Sequence, residues 1–287
     1  MKSKILILLS ILMLSVFAMC TAYAMPNESD WYWISSDSKY SKFYAPDKVT
    51  ADKFGDTAYK IVAWTRTDYA PEGAQETLTN YGITDISPLQ LRYSLAQVEI
   101  NPQNRMLSYI NETFYDAEDK VLWHKDYNPV KPKEMNSQEF DEDFYAIIVD
   151  KVFGAGEVER RKAADRWLTL WNNTLEDGSN SSAMADTTTI RMKGDDVIFW
   201  KWQVQKNADG NVKEIRFQKC TVNIKQGAGK INRYQHWDPV RQWQDYSKNV
   251  DGMYHGFSEG SEDAQALETL KTYIQNHPDW VYRYKLN

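Results

Sequence analysis

Polar and apolar residues alternate with a period of two over residues 59–67, 91–100 and 106–114, and again over 197–204, 215–224 and 231–236. In an extended chain this period puts every second side chain on one face, so each stretch predicts a half-buried strand. Asn101-Pro102-Gln103-Asn104 separates two strands of the first set. Asn207-Ala208-Asp209-Gly210 and Gln226-Gly227-Ala228-Gly229 do the same in the second. Turn residues between β-forming runs predict hairpins. After a polar turn at 116–119, Val121-Leu122-Trp123 restarts a strand.

Each set ends where the period changes to that of a helix. Phe140, Phe144, Ile147, Ile148 and Val152 form one apolar stripe. Asn136 is placed to cap this helix, with Glu139 completing a capping box. Asp141, Glu142 and Asp143 are expected to face water near its positive end. Leu267, Leu270, Tyr273 and Ile274 mark a second helix over 261–276, stopped by Pro278.

The two sets resemble each other. Leu91-Arg92-Tyr93 aligns with Ile215-Arg216-Phe217, Val98-Glu99-Ile100 with Val222-Asn223-Ile224, and Leu107 with Ile231, which puts Ala96 at the place of Cys220. Upstream, Lys60-Ile61-Val62-Ala63-Trp64 matches Asp196-Val197-Ile198-Phe199-Trp200. Downstream, Phe114-Tyr115-Asp116 matches His236-Trp237-Asp238. Each set opens on a Trp-rich segment, Trp31-Tyr32-Trp33 or Trp167-Leu168-Thr169-Leu170-Trp171. Five matches in one order identify an internal repeat. The fold class expected is α+β: two tandem domains, 27–153 and 167–287, each an antiparallel sheet with one C-terminal helix packed on it. Residues 154–166 read as a charged helical connector in which Glu157 and Arg161 have i, i+4 spacing.

The first 24 residues read differently. Lys2 and Lys4 precede an apolar run over 5–19, and Ala22-Tyr23-Ala24 has the small-x-small form of a cleavage site. This is a secretory signal pattern, and the run is short of the ~20 residues that span a bilayer. No transmembrane span is expected after cleavage. Lipidation of Cys20 is a second reading, set back by Met19 where a small residue is wanted. The chain carries 34 basic and 40 acidic residues, a net charge of −6. Removing Lys2 and Lys4 leaves 32 against 40, or −8. A mildly acidic protein lacks the basic field that nucleic acid or anionic membrane requires as a main partner. Cys20 leaves too, and Cys220 is then the single thiol, read as a buried small hydrophobe.

The order of Trp-rich start, Asp-x-Val-x-x-Trp strand, hairpin, Phe-Tyr-Asp, Pro-bearing loop and amphipathic helix resembles the surface-adhesin protein E domain. Residues 191–201 of the second set, and 114–121 with Tyr127-Asn128-Pro129-Val130-Lys131-Pro132 of the first, carry the likeness. The resemblance implies a small bacterial surface domain and binding to host matrix proteins. The family's usual pair of cysteines is missing, and none of the shared motifs is catalytic.

The chain carries few recognisable chemical motifs. His124, His236, His255 and His277 are scattered, with no zinc-site spacing, phosphate-binding loop or nucleophile elbow. No cofactor or metal is expected. Asp195-Asp196 enters a strand and points to opposite faces, so it does not make the facing carboxylates of a glycoside hydrolase. Aromatics are the remaining signal, at 14% with 11 Trp and 18 Tyr. Trp200 and Trp202 share a strand face, as do Trp31 and Trp33, and are read as sheet–helix core. Trp237, Trp243 and Trp280 sit in polar contexts and are the candidate ligand-binding residues. The reading favoured is a non-catalytic exported envelope or surface protein that binds a macromolecule, protein or glycan. The alternative is an extracytoplasmic hydrolase acting on cell-envelope carbohydrate. Open sheet edges favour pairing with a second copy.

Overall fold

The computed structural model of the chain describes residues 30–54 and 57–284. The segment 1–24, read as an export signal, and Cys20 lie outside the described residues. The first antiparallel sheet contains β1 (Tyr32–Ser36), β2 (Tyr40–Tyr44), β3 (Thr50–Phe54), β4 (Thr57–Tyr69), β5 (Tyr93–Asn101), β6 (Met106–Tyr115), β7 (Val121–Asp126) and β8 (Lys133–Glu134). Its order is β1-β2-β4-β5-β6-β7, with β3 beside β4 and β8 beside β6. The second contains β9 (Trp167–Thr174), β10 (Asn180–Asp186), β11 (Arg191–Lys193), β12 (Asp196–Lys206), β13 (Val212–Asn223), β14 (Ala228–Asp238), β15 (Gln242–Asp245) and β16 (His255–Gly256). Its order is the same: β9-β10-β12-β13-β14-β15, with β11 on β12 and β16 on β14. Among the described residues there are five α-helices: α1 (Pro71–Tyr81), α2 (Glu142–Phe153), α3 (Glu157–Lys162), α4 (Glu262–Asn276) and α5 (Pro278–Val281). The fold is α+β, with two similar sheet domains.

The bulges show how deep the repeat goes. β1–β2 slips between Trp33 and Ser35, and β9–β10 slips at the matching place, between Ala183 and Met184. β5–β6 slips between Gln97 and Val98, and β13–β14 between Lys219 and Cys220. Bulges re-aim a strand and are specific features, so matched bulges align the copies unambiguously. Trp64 keeps its match with Trp200. In β5 and β13, however, the alignment expected from sequence is two residues out. Val98, not Ala96, takes the place of Cys220, and Leu107 matches Gly229, not Ile231. A two-residue slip keeps each side chain on its face, so the polar–apolar pattern could not reveal it.

α2 and α4 each lay an apolar face on one side of their sheet. Phe144, Tyr145, Ile148 and Val149 meet Ile61, Ala63, Ala96, Val98 and Ile100. Ala266, Leu267, Leu270, Tyr273 and Ile274 meet Val197, Phe199, Cys220 and Val222. Ser261 caps α4, its Oγ accepting from the Ala264 amide at 3.2 Å. The capping box expected at Asn136 does not form. Asn136 closes a turn, accepting from the Gln138 amide, and α2 starts only at Glu142. Helix α1 was not expected from sequence. It starts at Pro71 and ends at Gly82, whose left-handed backbone closes the last turn.

Asp141, Glu142 and Asp143 were expected to face water, and the structure corrects this: all three are wholly or partly buried. Asp141 and Glu142 are buried. Glu142 accepts from Arg161 at 2.9 Å and Arg166 at 2.8 Å, and Asp143 pairs with Arg161 and with Lys42. Glu157 does not pair with Arg161 either. It is fully buried, taking Arg105 Nη1 at 3.0 Å, Arg283 Nε at 3.0 Å and the Tyr284 hydroxyl at 2.6 Å. Burial alone would raise its pKa, but the two guanidinium groups hold it below the ordinary value. Both arginines also donate to the Thr188 carbonyl, which belongs to the second domain. A second junction lies alongside. Lys219 reaches Glu134 at 2.9 Å, and Arg191 donates to the Gln103 carbonyl at 3.0 Å.

Candidate functional site

The two faces of the second sheet differ in chemistry. The face away from α4 carries Trp200, Trp202, Phe217, Trp237 and Trp243. Trp200 and Trp202 were expected in the sheet–helix core, but they bracket Phe217 on this opposite face, at ring distances of 4.5 and 4.7 Å. The reason is parity: Phe199 and Lys201, one residue off, take the helix side. Trp237 and Trp243 are direct partners across β14 and β15, and Trp243 packs edge-on against Trp202 at 5.7 Å. Trp243 is 42% exposed, and Trp237 is half-buried with its Nε1 donating to Gln242. Trp280 lies elsewhere. It packs against the second core, donates to the Thr187 carbonyl at 2.8 Å and lies under the Arg283 guanidinium at 3.5 Å. So two of the three candidate tryptophans come together, and the third belongs to the domain junction.

On the α4 side, the helix covers only half of the sheet. The other half forms a cavity of about 480 Å³. Its floor is Phe199, Lys201 and Gln203 of β12, Arg216, Gln218 and Cys220 of β13, and Trp171 of β9. Its roof is the strap 250–257 and the first turn of α4, with Asp251, His255, Phe257, Glu262 and Asp263. Lys201 is only 8% exposed. Its Nζ lies 4.9 Å over the Trp171 ring, and among the described residues no carboxylate lies within ion-pair distance. Lys42, equally buried in the first domain, has Asp143 at 3.2 Å and the Phe140 carbonyl. Beside Lys201, Gln218 Oε1 and Arg216 Nε are buried without a hydrogen-bond partner. Unmet polar groups of this density are uncommon in a finished core and mark a place where a ligand can complete the bonding. Burial also pushes the Cys220 thiol up, so it stays protonated and inert at neutral pH.

The same half of the first sheet is filled. Thr65, Thr67, Ser94 and Ala96 stand where the second copy has Lys201, Gln203, Arg216 and Gln218. All four of the first-copy residues are buried, and helix α1, inserted between β4 and β5, packs Ala74 and Leu78 beside them against Tyr69, Leu91 and Phe114. In the second copy β12 and β13 are joined by the tight turn 207–211 and no helix is present. Tyr81, the last residue of α1, donates to Glu112 at 2.5 Å, and Tyr127 donates to the same oxygen at 3.1 Å. Tyr109 donates to Asp141 at 2.7 Å. Burial pushes Glu112 up to about 7 and raises Asp141 too. Both carboxyls are buried, each under a tyrosine hydroxyl.

The strap is shaped for its copy as well. Phe257 takes the place of Met135, and Gly229 that of Leu107. A Cβ at Gly229 would fall 2.6 Å from the Phe257 ring. A large side chain on the strap thus replaces a large one on the sheet. None of this could be seen without the correct register. The detectable signal was a second-copy strand, 197–205, carrying Lys and Gln on its core-facing parity. No family model matches the chain, and no curated protein matches it.

Proposed function

We propose that the chain is an exported envelope or surface protein that binds a partner without transforming it, and that its second domain is the binding half. The observation that carries this reading is the asymmetry of the copies. They share strand order and bulges, but the first packs α1 on the helix-bearing side of its sheet while the second has a cavity there, lined by unsatisfied polar groups. On the opposite face of the same domain, Trp243 and Trp237 offer an aromatic surface suited to a protein or glycan partner. The sheet-plus-closing-helix plan of each copy also suits the resemblance to surface-adhesin protein E domains, and with it a matrix-protein or glycan partner. A hydrolase acting on envelope carbohydrate is less well supported, because Glu112 and Asp141, two carboxyls whose pKa burial raises, lie under tyrosines in the interior.

Mature protein (25–287) tested against immobilised matrix proteins and a glycan array is expected to show saturable binding that Trp243→Ala weakens about tenfold or more. Absence of binding across both panels overturns the macromolecular reading. Protease treatment of intact cells, which degrades a surface-exposed protein and spares a periplasmic one, decides the location.

A further inference from the structure

The cavity on the second sheet has a charge layout more specific than a general binding face. Its floor presents Lys201, which has no carboxylate within ion-pair distance among the described residues, flanked by Gln203 and the orphaned Gln218 oxygen. Arg216 lies on the same floor but is engaged by Glu214 at 2.7 Å. The roof presents three carboxylates. Asp251 is tied to His255 at 2.8 Å and to the Met253 amide at 3.0 Å. Glu262 and Asp263 stand on the first turn of α4. Lys230, at the outer edge, stacks over Tyr254 at 4.7 Å. Between floor and roof run apolar walls of Trp171, Phe199, Ile231 and Phe257.

A simple anion would satisfy Lys201 and be repelled by the roof. A simple cation would suit the roof and leave Lys201 buried and unpaired. A ligand with a negative group at one end and a positive group at the other meets both walls, and an apolar middle meets the sides. The cavity volume suits a molecule of several residues' bulk rather than a single ion. We infer that this cavity binds a short unblocked peptide, with the peptide carboxylate on Lys201, its ammonium toward Asp251, Glu262 and Asp263, and an apolar side chain between Trp171 and Phe257. This rests on the reading of the second domain as the binding half, and it names the ligand class of its concave face. A buried ammonium pairing with a carboxylate in a low-dielectric site supplies orientation as well as affinity.

The test is calorimetric titration of the mature protein with a library of unblocked tripeptides carrying a central aromatic or aliphatic residue. The same peptides are titrated as C-terminal amides and as N-acetyl forms. Unblocked peptides are expected to bind. Amidation should weaken binding about tenfold or more, and Lys201→Met should weaken the unblocked peptide by a similar factor. The amide should bind wild type and Lys201→Met alike, because both changes remove one contact. Acetylation should weaken binding in wild type and less so in Asp263→Asn. Lys201→Gln, which keeps a polar group, serves as the second variant, and circular dichroism confirms that each protein is folded. Equal binding of acid and amide by wild type, or an unchanged affinity in both Lys201 variants, overturns the inference. So does a library in which nothing binds. Retained binding to a matrix protein or glycan that Trp243→Ala abolishes would then show that the macromolecular reading stands without it.

Discussion

Glu112 is a buried carboxyl whose ionisation the first domain resists. It sits on β6 beneath α1, its Oε2 accepting from Tyr81 and Tyr127, and burial raises its pKa from the ordinary 4.5 to about 7. Below 4.5 the group is protonated in both the folded and the unfolded chain, and it contributes nothing to pH dependence. Between 4.5 and 7 the unfolded chain ionises while the folded one keeps its proton, so stability falls as pH rises. Above 7 the full difference is lost. At about 1.4 kcal/mol per pKa unit, the loss is about 3 kcal/mol. Glu112→Gln keeps the shape and an oxygen able to accept both tyrosine hydroxyls, but has no proton to lose. Urea unfolding at pH 5 and pH 8 measures the effect. Wild type is expected to lose about 2.5 kcal/mol more than Glu112→Gln between these values, the rest of the difference having been lost below pH 5. The comparison between the two proteins cancels groups that do not interact with Glu112, such as Asp143 and Glu157, which cations hold down. Equal pH dependence in the two proteins would refute the argument that Glu112 ionises in a sealed site.

Three further outcomes are expected. Lys201→Met should leave stability in urea unfolding within about 1 kcal/mol of wild type, because the lysine makes no ion pair among the described residues and gives up only its contact with Trp171; a loss of about 2 kcal/mol or more would show that it already has a partner. Glu157→Ala should destabilise by about 3–5 kcal/mol, since it strands Arg105 and Arg283 in the interior, and a change under 1 kcal/mol would mean that water enters the junction. Gly73→Ala places a Cβ 2.3 Å from the Lys39 carbonyl oxygen, so thermal unfolding should report a loss of about 1–3 kcal/mol as α1 is pushed off β2, and an unchanged Tm would show that α1 tolerates a shift.

The strands and hairpin turns were legible because their signal is local. Alternation over 91–100 or 215–224 lies within one stretch of chain. The closing helices were legible for the same reason. α1 was missed because it buries only Gly73, Ala74 and Leu78, too few to show a period, although Pro71 at its start and Gly82 at its end were available signals. The acids at 141–143 were misread because the groups that make burial tolerable are remote. Lys42 lies 101 residues from Asp143, and Arg283 lies 126 from Glu157. No local pattern announces such partners. The cavity is harder still, since it arises from differences between copies: Gly229 for Leu107, Lys201 for Thr65, and a turn for α1. Those differences acquire meaning only when bulges, not residue likeness, set the alignment.

Arg105 and Gly227 show why the copies diverged in opposite directions. They occupy the same place in matched hairpins, and both are in the left-handed region, at φ 54° and 63°. Glycine takes this conformation freely, whereas arginine is strained there by about 1–2 kcal/mol. The first copy tolerates that strain because the Arg105 side chain holds Glu157, the Met135 carbonyl and the Thr188 carbonyl together. With Arg105→Gly the turn would relax, but Glu157 would keep only Arg283 and Tyr284, and the first domain would lose its direct side-chain hold on Thr188. The turn in the second copy has no such duty and keeps its glycine. The first copy thus uses its variable positions for closure, through α1 and Tyr81, and for docking, through Arg105 and Glu134. The second keeps glycine at the Arg105 position, has no counterpart of α1, and carries Lys201, Gln203, Arg216 and Gln218 on its floor. A recognition face mounted on a closed, ion-paired neighbour loses little freedom when a ligand arrives, and that low ordering cost is what lets a cavity with few polar contacts bind selectively.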